Sequence, residues 1–492
     1  GTVTNSERRI SRVRTAVPPA GEARHDWAIF TELGRRLEAL LPERVAAYRP
    51  GVGTLFPYAA PESVWLEHRE STRGRDLDIT SLSYALLDTA GPQQWPLPEG
   101  ASHGQQRLYA DGRFPTADGR AKFAAVAFVP PKEAADAEYP FSLNTGRLRD
   151  QWHGMSRTGT LGRLFGHVSE PAVDVHPDDM QRLGLTDGDL VRVRSRRGEV
   201  LIPALTSGAQ MPGQVHIAMH WGSEFLSGRD AGGERLQGVN ALTQPAFCPT
   251  SKQPELKHAA VAIEPVALPW QLVAMAWLPA GKALVVREAV AALARDFAFF
   301  SCVPFGDEGS GDDGSADRQV GVLLRMASAK APEAERIAPL IAQLEGWFGV
   351  QASDTLRYDD AARHQHRAMR VAGTGEGEGE RLQAFLMVGQ VASQAWVRPL
   401  LQERQPVQAL GTRLLSPSAQ PPGDVVSRGK QVCTCFNVSE PHIMAFLPQC
   451  SGTEGERLGQ LQGALKCGTN CGSCVPALRK LIRETPMAIE AL

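Results

Sequence analysis

The sequence has no apolar run of the roughly eighteen residues that a membrane-spanning helix needs. Its N-terminal stretch, GTVTNSERRISRVR, is polar and basic, and because no apolar segment follows it, no secretion signal is visible. An excess of one charge is also absent, since 52 basic against 54 acidic residues leave a formal net charge of −2. The sequence therefore gives no reason to expect a membrane or a nucleic acid as partner.

Cysteine is scarce except at one end of the chain. Of eight cysteines, six lie between Cys433 and Cys474, while Cys248 and Cys302 stand alone. A secreted protein held by disulfides would be small and would spread its cysteines through the fold. The clustering therefore indicates metal ligation in a reducing compartment, and the cytoplasm is the expected location.

The 492 residues, 42% hydrophobic and 22% charged, predict a globular chain of about three domains of ordinary size. Residues 1–138 alternate helical segments with Pro- and Gly-rich turns. Short strand-length runs dominate residues 139–266 and indicate a compact β-barrel with one small helix. Residues 267–422 show a mixed α/β pattern that ends in a linker, and residues 423–492 form the cysteine-rich tail. We therefore expect a multidomain, mixed α/β protein.

Periodicity predicts individual elements within these regions. Apolar residues at helical spacing predict helices over Asp26–Leu41, Pro61–Arg69 and Ala331–Phe348. Short apolar runs predict strands near Ala283–Arg287 and Gly321–Met326. The third region is accordingly interpreted as an α/β domain, whose role the sequence leaves open.

Two cysteine pairs stand out in the tail. Cys433 and Cys435 form a Cys-x-Cys pair, and Cys471 and Cys474 form a Cys-x2-Cys pair, each followed by a predicted helix with Pro in its first turn. Helix N-termini lower thiolate pKa values and favour an anionic cluster. Zinc more often uses two Cys-x2-Cys pairs, so the spacing favours iron and sulfide, with zinc or purely structural thiols as the alternatives. Cys450 is expected to be an ordinary, partly buried thiol.

The stretch CTCFNVSE…LKCGTNCGSCVPAL resembles the bacterioferritin-associated-ferredoxin-like domain, a small helical [2Fe–2S] fold. The resemblance implies Cys433, Cys435, Cys471 and Cys474 as ligands of a [2Fe–2S] cluster. Cys467 lies one helical turn before Cys471 and is the alternative third ligand. A domain this small has little core, so we expect the cluster also to stabilise its fold.

A second signature reads NTGRLRDQWH and is followed by GMSRTG. It resembles the loop that opens the molybdopterin-dinucleotide-binding domain of nitrate reductases in the dimethyl-sulfoxide-reductase superfamily, whose fold here is a double-psi β-barrel. A backbone turn suits a phosphate, a guanidinium suits a diphosphate, and amide, imidazole and indole groups suit a flat heterocycle. The candidate cofactor contacts are Thr145, Gly146, Arg147, Gln151, Trp152 and His153.

Further segments resemble the same enzymes. VNALT and SKQPELK resemble later elements of the dinucleotide-binding domain and imply Asn240 and Lys257 as pterin contacts. The start, GTVTNSERR, resembles a segment that follows the nucleotide-binding core of the catalytic domain, and implies Asn5, Glu7 and Arg8 as cofactor contacts. Because the first residue is Gly and not Met, we expect the chain to begin in mid-domain.

These resemblances imply the C-terminal part of a bacterial assimilatory nitrate reductase large subunit. In the intact enzyme, nitrate would be reduced to nitrite at a molybdenum bis-molybdopterin guanine dinucleotide, and this chain would hold only part of that site. Electrons would enter at the [2Fe–2S] cluster from a reductase subunit, a ferredoxin or a flavodoxin, and would pass through a [4Fe–4S] centre. The motifs for the [4Fe–4S] centre and for the molybdenum-ligating Cys are missing, so we assign no catalytic residue and expect the isolated chain not to reduce nitrate.

Two alternative functions remain open at this point. The first is a formate-dehydrogenase-like molybdoenzyme with an added ferredoxin tail, because the catalytic front part mainly decides the substrate. The second is a non-catalytic [2Fe–2S] module for electron transfer or regulation. The QWH triplet of the second signature favours nitrate.

Overall fold

The computed structural model of the chain describes residues 1–492 except 231, 256, 309–317, 374–378, 423–424, 426–428 and 486–492. The predicted domain boundary at residue 423 lies outside the described residues. The chain divides into two compact units, Gly1–Phe128 and Val129–Leu492. In the described part of the chain, no helix has both the length and the apolar character that crossing a membrane requires.

The first unit packs short helices around a small antiparallel sheet in the order β1-β2-β3. Its core contains Ile10 from the sheet and Trp65, Leu82 and Leu87 from the helical segments. The predicted helices near residues 26–41 and 61–69 are confirmed. The elements are β1 (Thr2–Thr4), β2 (Arg9–Arg12), α1 (Asp26–Leu40), α2 (Pro42–Tyr48), α3 (Pro61–Glu70), α4 (Tyr84–Thr89) and β3 (Gln93–Gln94).

The second unit begins with a closed six-stranded barrel, which confirms the predicted barrel with its small helix. The elements of this part are β4 (Phe141–Gly146), β5 (Val173–Val175), α5 (Pro177–Leu183), β6 (Leu190–Arg194), β7 (Glu199–Thr206), β8 (Gln214–Ala218), β9 (Leu226–Arg229), β10 (Arg235–Leu236) and β11 (His258–Pro265). The barrel order is β11-β4-β8-β5-β7-β6. Strands β4 and β8 are parallel and β11 is antiparallel to β4. The ends of β4 and β8 and the start of β11 therefore share one rim.

An antiparallel eight-stranded sheet follows, in the order β10-β9-β13-β14-β12-β17-β16-β15. One face is covered by two helices, α6 and α7, and the other shares a continuous apolar core with the barrel and α8. The elements are β12 (Trp270–Pro279), α6 (Ala280–Ala291), β13 (Phe299–Glu308), β14 (Gln319–Ser328), α7 (Ala334–Phe348), β15 (Thr355–Asp360), β16 (Gln365–Gly373), β17 (Glu380–Gly389) and α8 (Gln394–Gln402).

The strand predicted near Ala283–Arg287 is wrong, because these residues belong to α6. The buried residues of this helix are Ala283, Val286 and Val290, which are spaced as one face of a helix and pack against the sheet. The strand predicted near Gly321–Met326 is confirmed by β14, and the predicted helix near residues 331–348 is confirmed by α7.

The cysteine-rich tail is a small helical body with its own core. Its elements are β18 (Gln431–Cys433), β19 (Val438–Ser439), α9 (Glu440–Phe446), α10 (Glu454–Leu465) and α11 (Val475–Glu484). Arg457 is buried in α10 and donates to the carbonyls of Ile482 at 3.0 Å and Thr485 at 3.1 Å. A cation at the C-terminal end of α11 satisfies carbonyls that the helix leaves free and opposes its dipole.

A carboxylate joins the barrel part to the sheet. Glu170, just before β5, pairs with Arg325 of β14 at 3.0 Å and with Arg398 of α8. Burial alone would raise the pKa of Glu170, but Arg398 and Arg325 lower it to about 2. Because both arginines stay charged, this carboxylate stabilises the contact as long as it remains ionised.

Replacing Glu170 by Gln should destabilise the second unit by about 3 kcal/mol, because two partly buried guanidinium groups lose their counter-charge. The folded pKa is depressed, so the wild-type contribution is present above pH 4.5 and disappears as the pH falls toward 2. Thermal unfolding followed between pH 7 and pH 3 tests both statements. Glu264→Gln, which removes a more exposed carboxylate from a surface pair with Arg192, should shift the melting temperature only slightly.

Candidate functional site

The loop that follows β4 starts at the shared rim of the barrel. The Thr145 amide donates to the Lys257 carbonyl at 3.1 Å, and the Met219 amide donates to the Gly146 carbonyl at 2.9 Å. These bonds bring the NTGRLRDQWH signature next to the segment before β11 and next to the residues that follow β8. The predicted contacts on the loop and the Lys257 backbone thus meet at one rim.

A buried histidine holds this loop in place. His220 lies just after β8 and is 1% exposed. The amide of Leu148 donates to His220 Nε2 at 3.0 Å, and the carbonyl of His153 accepts from Nδ1. Burial lowers the pKa of His220, so the ring is neutral with its proton on Nδ1. His220 was not among the predicted site residues, because its role depends on two ring partners that are distant in the sequence.

The loop presents one inward amide and one outward aromatic face. Gln151 is buried and donates through Nε2 to the Leu164 carbonyl at 3.1 Å, while its Oε1 has no partner among the described residues. Trp152 is 49% exposed and packs edge-on against His153, with Arg147 over its ring at 5.4 Å. Arg147 and Trp152 together offer a cation and a flat apolar face, which fits a polar heterocycle with a phosphate tail.

Asn240 lies on a separate segment near the same rim. It is exposed, in a 3₁₀ helix over Val239–Leu242. The Val239 amide donates to the Trp221 carbonyl at 3.2 Å, which fixes this helix to the segment that carries His220. The Lys257 side chain is exposed as well. Both side chains are therefore accessible beside the loop.

The three candidates of the first unit lie in the β1–β2 hairpin. Asn5 Oδ1 accepts from the amides of Glu7 at 3.0 Å and Arg9 at 2.9 Å, as in an Asx turn. Arg8 has a φ of 60° and donates to backbone carbonyls, among them that of Gln106 at 2.7 Å. Asn5 and Arg8 thus stabilise the turn, whereas Glu7 is exposed.

The four predicted iron ligands form two contacting pairs in the tail, an outer pair of Cys435 with Cys471 and an inner pair of Cys433 with Cys474. The Sγ atoms of Cys435 and Cys471 lie 3.4 Å apart, and Cys471 is exposed. Cys433 and Cys474 are buried, and Cys433 contributes to the raised pKa of Cys474. Cys433 lies in β18, and Cys474 is the N-cap of α11, so only the second pair is directly followed by a helix.

The pKa values of the two second-pair thiols differ. Hydrogen bonds from Ser473 and contact with Cys435 lower the pKa of Cys471, whereas burial raises the pKa of Cys474 to about 12. Metal binding must therefore displace a proton from the Cys474 thiol, so the binding of metal at this site depends on pH. Four thiols, two of them buried in an apolar core, are a donor set that fits an iron–sulfur cluster.

The two surplus thiols of the tail differ in position. Cys467 is fully buried, and burial together with nearby Cys433 raises its pKa to about 11. Cys450 is buried too and lies 3.9 Å from the Phe446 carbonyl. Cys467 therefore borders the inner pair, while Cys471 contacts the outer thiol Cys435.

The loop that follows β4 also contacts β18, the strand that carries Cys433. Arg149 donates to the Val432 carbonyl at 3.0 Å and to Thr434 Oγ1 at 3.1 Å. Asp150 pairs with Arg149 at 3.0 Å and accepts from Thr434 Oγ1 at 2.8 Å. Arg163 donates to the Cys435 carbonyl at 2.9 Å. No sequence pattern predicts this network, although Arg149 and Asp150 lie within the NTGRLRDQWH signature.

Comparison with known families assigns three segments. Residues 141–260 match the molydopterin dinucleotide binding domain, residues 431–484 match the BFD-like [2Fe-2S] binding domain, and residues 1–36 match the molybdopterin oxidoreductase family. The predicted pterin-binding and [2Fe–2S]-binding domains are thereby confirmed, together with the predicted cofactor types.

Several curated proteins are similar to this chain. A nitrate reductase from Klebsiella oxytoca is 32% identical over 98% of this chain and 48% of its own length. An assimilatory nitrate reductase catalytic subunit from Bacillus subtilis is 31% identical over 54% of this chain and 34% of its own length. The alpha subunit of an F420-dependent formate dehydrogenase from Methanocaldococcus jannaschii is 33% identical over 54% of this chain and 34% of its own length. The chain thus spans about half, or less, of the length of these relatives.

Anaerobically purified chain should be brown, with about two irons and two sulfides and an EPR signal after reduction. Cys471→Ser or Cys474→Ser should remove the signal, because each deletes one thiolate. Cys450→Ser, which changes a buried thiol outside the predicted ligand set, is the control and should retain the signal. Iron content, sulfide content and EPR measure the outcome. Loss of the signal in Cys467→Ser but not in Cys471→Ser would identify Cys467 as the third ligand, and a colourless chain loaded with zinc would contradict the assignment altogether.

Proposed function

We propose that this chain, which carries molybdopterin oxidoreductase family domains and a BFD-like [2Fe–2S] binding domain, is part of a nitrate reductase large subunit. In the complete enzyme it contributes part of the molybdenum bis-molybdopterin guanine dinucleotide site and the electron entry point. Nitrate is reduced to nitrite there, in a two-electron oxygen-atom transfer that the cofactor supplies when bound.

The observation that carries this proposal is the direct contact between the two cofactor-binding parts. The loop with the pterin signature bonds through Arg149 and Arg163 to the segment of Cys433 and Cys435. An electron-entry domain is useful only if it stands close to the rest of the redox chain. The contact therefore supports a role in electron delivery, as opposed to an independent regulatory module.

Within this proposal, the rim of the barrel holds the dinucleotide. Gln151, whose buried Oε1 has no partner in the part of the chain that the structure describes, is one proposed contact, and Trp152 with Arg147 borders the heterocycle. Thr145, Gly146, His153, Asn240 and Lys257 complete the proposed contacts, and Asn5, Glu7 and Arg8 remain candidates on the first unit. His220 orients the loop and needs no contact with the dinucleotide.

The four cysteines hold the [2Fe–2S] cluster in the same proposal. Cys471 is exposed and Cys435 is half-buried, so this side of the site is open to an electron donor such as a reductase subunit, a ferredoxin or a flavodoxin. Cys433 and Cys474 face the core of the domain. The outer thiols thus lie on the side of electron entry.

A formate-dehydrogenase-like activity is the second candidate, and the Methanocaldococcus jannaschii relative supports it. That similarity covers about half of this chain, whereas the similarity to the Klebsiella oxytoca nitrate reductase runs over nearly all of it. The longer similarity favours nitrate. A cytoplasmic location stays a prediction from the sequence.

The test uses this chain together with the segment that completes the molybdenum site. Cys474→Ser should reduce ferredoxin- or flavodoxin-driven nitrate reduction to background, because electrons can no longer enter at the cluster. Reduction driven by a small reduced viologen dye, which can reach deeper centres, should be largely retained. Nitrite formation with each donor measures the difference, and Cys450→Ser is the control.

Full retention of ferredoxin- and flavodoxin-driven nitrate reduction in Cys474→Ser would show that the cluster is not the entry point. Formate oxidation without nitrate reduction by the wild-type enzyme would instead support the second candidate.

A further inference from the structure

The guanidinium of Arg149 reaches from the barrel to both sides of Cys433. It donates at 3.0 Å to the carbonyl of Val432, which precedes this cysteine, and at 3.1 Å to the hydroxyl of Thr434, which follows it. The side chain is largely buried, with 19% exposed. A fixed cation therefore stands at the backbone that carries an inner cysteine.

Asp150 lies on the other side of the same cation. Its carboxylate pairs with Arg149 at 3.0 Å and accepts from Thr434 at 2.8 Å, and 13% of its side chain is exposed. Burial alone would raise the pKa of Asp150, but Arg149 and Thr434 lower it, so it is ionised at neutral pH. The cation and the anion thus oppose each other at one point of the interface.

Two other titratable groups lie in this neighbourhood. His167, four residues after Arg163, has a pKa that burial and Arg149 lower, so it is neutral at pH 7. Lys430 lies next to the strand of Cys433 and adds a positive charge. Among the described residues, neither side chain bonds to the cysteine segment as Arg149 does.

We propose that Arg149 is a positioning residue that docks the cysteine strand on the barrel and sets the reduction potential of the [2Fe–2S] cluster, with Asp150 opposing it. This inference rests on the proposed function and deepens it. One-electron reduction, by the donor protein in the cell or by dithionite in a titration, adds one negative charge to the cluster and its thiolates. A nearby cation favours that state and a nearby anion disfavours it.

The two charges therefore predict shifts of opposite sign. Arg149→Gln removes the cation and leaves Asp150 unopposed, so reduction should become less favourable by roughly tenfold, about 59 mV lower for one electron. Asp150→Asn leaves the cation unopposed and should shift the potential upward. The double variant should lie near the wild type. Loosening of the interface alone would not produce shifts of opposite sign.

The experiment is an EPR-monitored redox titration of the whole anaerobically purified chain. Arg149→Lys keeps the charge without the two-pronged contact, so its potential should stay near that of the wild type. Arg479→Gln is the matched control, because it removes a cation of the same small domain that pairs with Glu454 on the surface, and its shift should be small. Thermal unfolding of each variant separates a loss of docking from a loss of charge.

Shifts of the same sign in Arg149→Gln and Asp150→Asn, or no shift in either, would overturn the inference while leaving the cluster assignment intact. A wild-type chain without iron would overturn the cluster assignment itself, and the inference with it. The iron content of the wild type thus distinguishes failure of the proposed function from failure of the role of Arg149.

Discussion

The loop that follows β4 is fixed from two sides, and both candidate sites depend on it. On the inner side, neutral His220 bonds to the Leu148 amide and to the His153 carbonyl. On the outer side, Arg149 and Asp150 bond to the cysteine strand. A loop at a barrel rim would otherwise lose conformational entropy on ordering without compensation. One segment therefore shapes the rim of the barrel and also positions the cysteine-rich tail.

Much of the fold could be predicted, because its signals are local. Strand-length apolar runs marked the barrel, and the spacing of Cys433, Cys435, Cys471 and Cys474 marked the cluster domain, which the family comparison confirms. The strand predicted near Ala283–Arg287 was wrong because β-branched residues in a short run favour a strand, whereas packing against the sheet selects the helical spacing of α6. Tertiary contacts overrode local preference there.

The interface between the barrel and the tail could not be predicted in the same way. Arg149 and Thr434 are 285 positions apart in the sequence, and each belongs to a residue type that is usually solvated. A partly buried ion pair contributes little net stability, but removing one of its partners leaves the other charge unpaired at a high cost. The pair therefore specifies one docked arrangement. Such complementarity appears only when both surfaces are assembled. For the same reason, no sequence pattern predicted the role of His220.

The same network links the two sites energetically. If the charge of Arg149 favours the reduced cluster, then reduction must in turn strengthen the hold of Arg149 on the cysteine strand, because coupling free energies are reciprocal. Arg149 belongs to the loop that bears Gln151 and Trp152, so a ligand that fixes this loop limits how far the cation can move from the cysteine strand. In the proposed enzyme, these contacts and charges would couple electron entry at the cluster to the rim of the barrel.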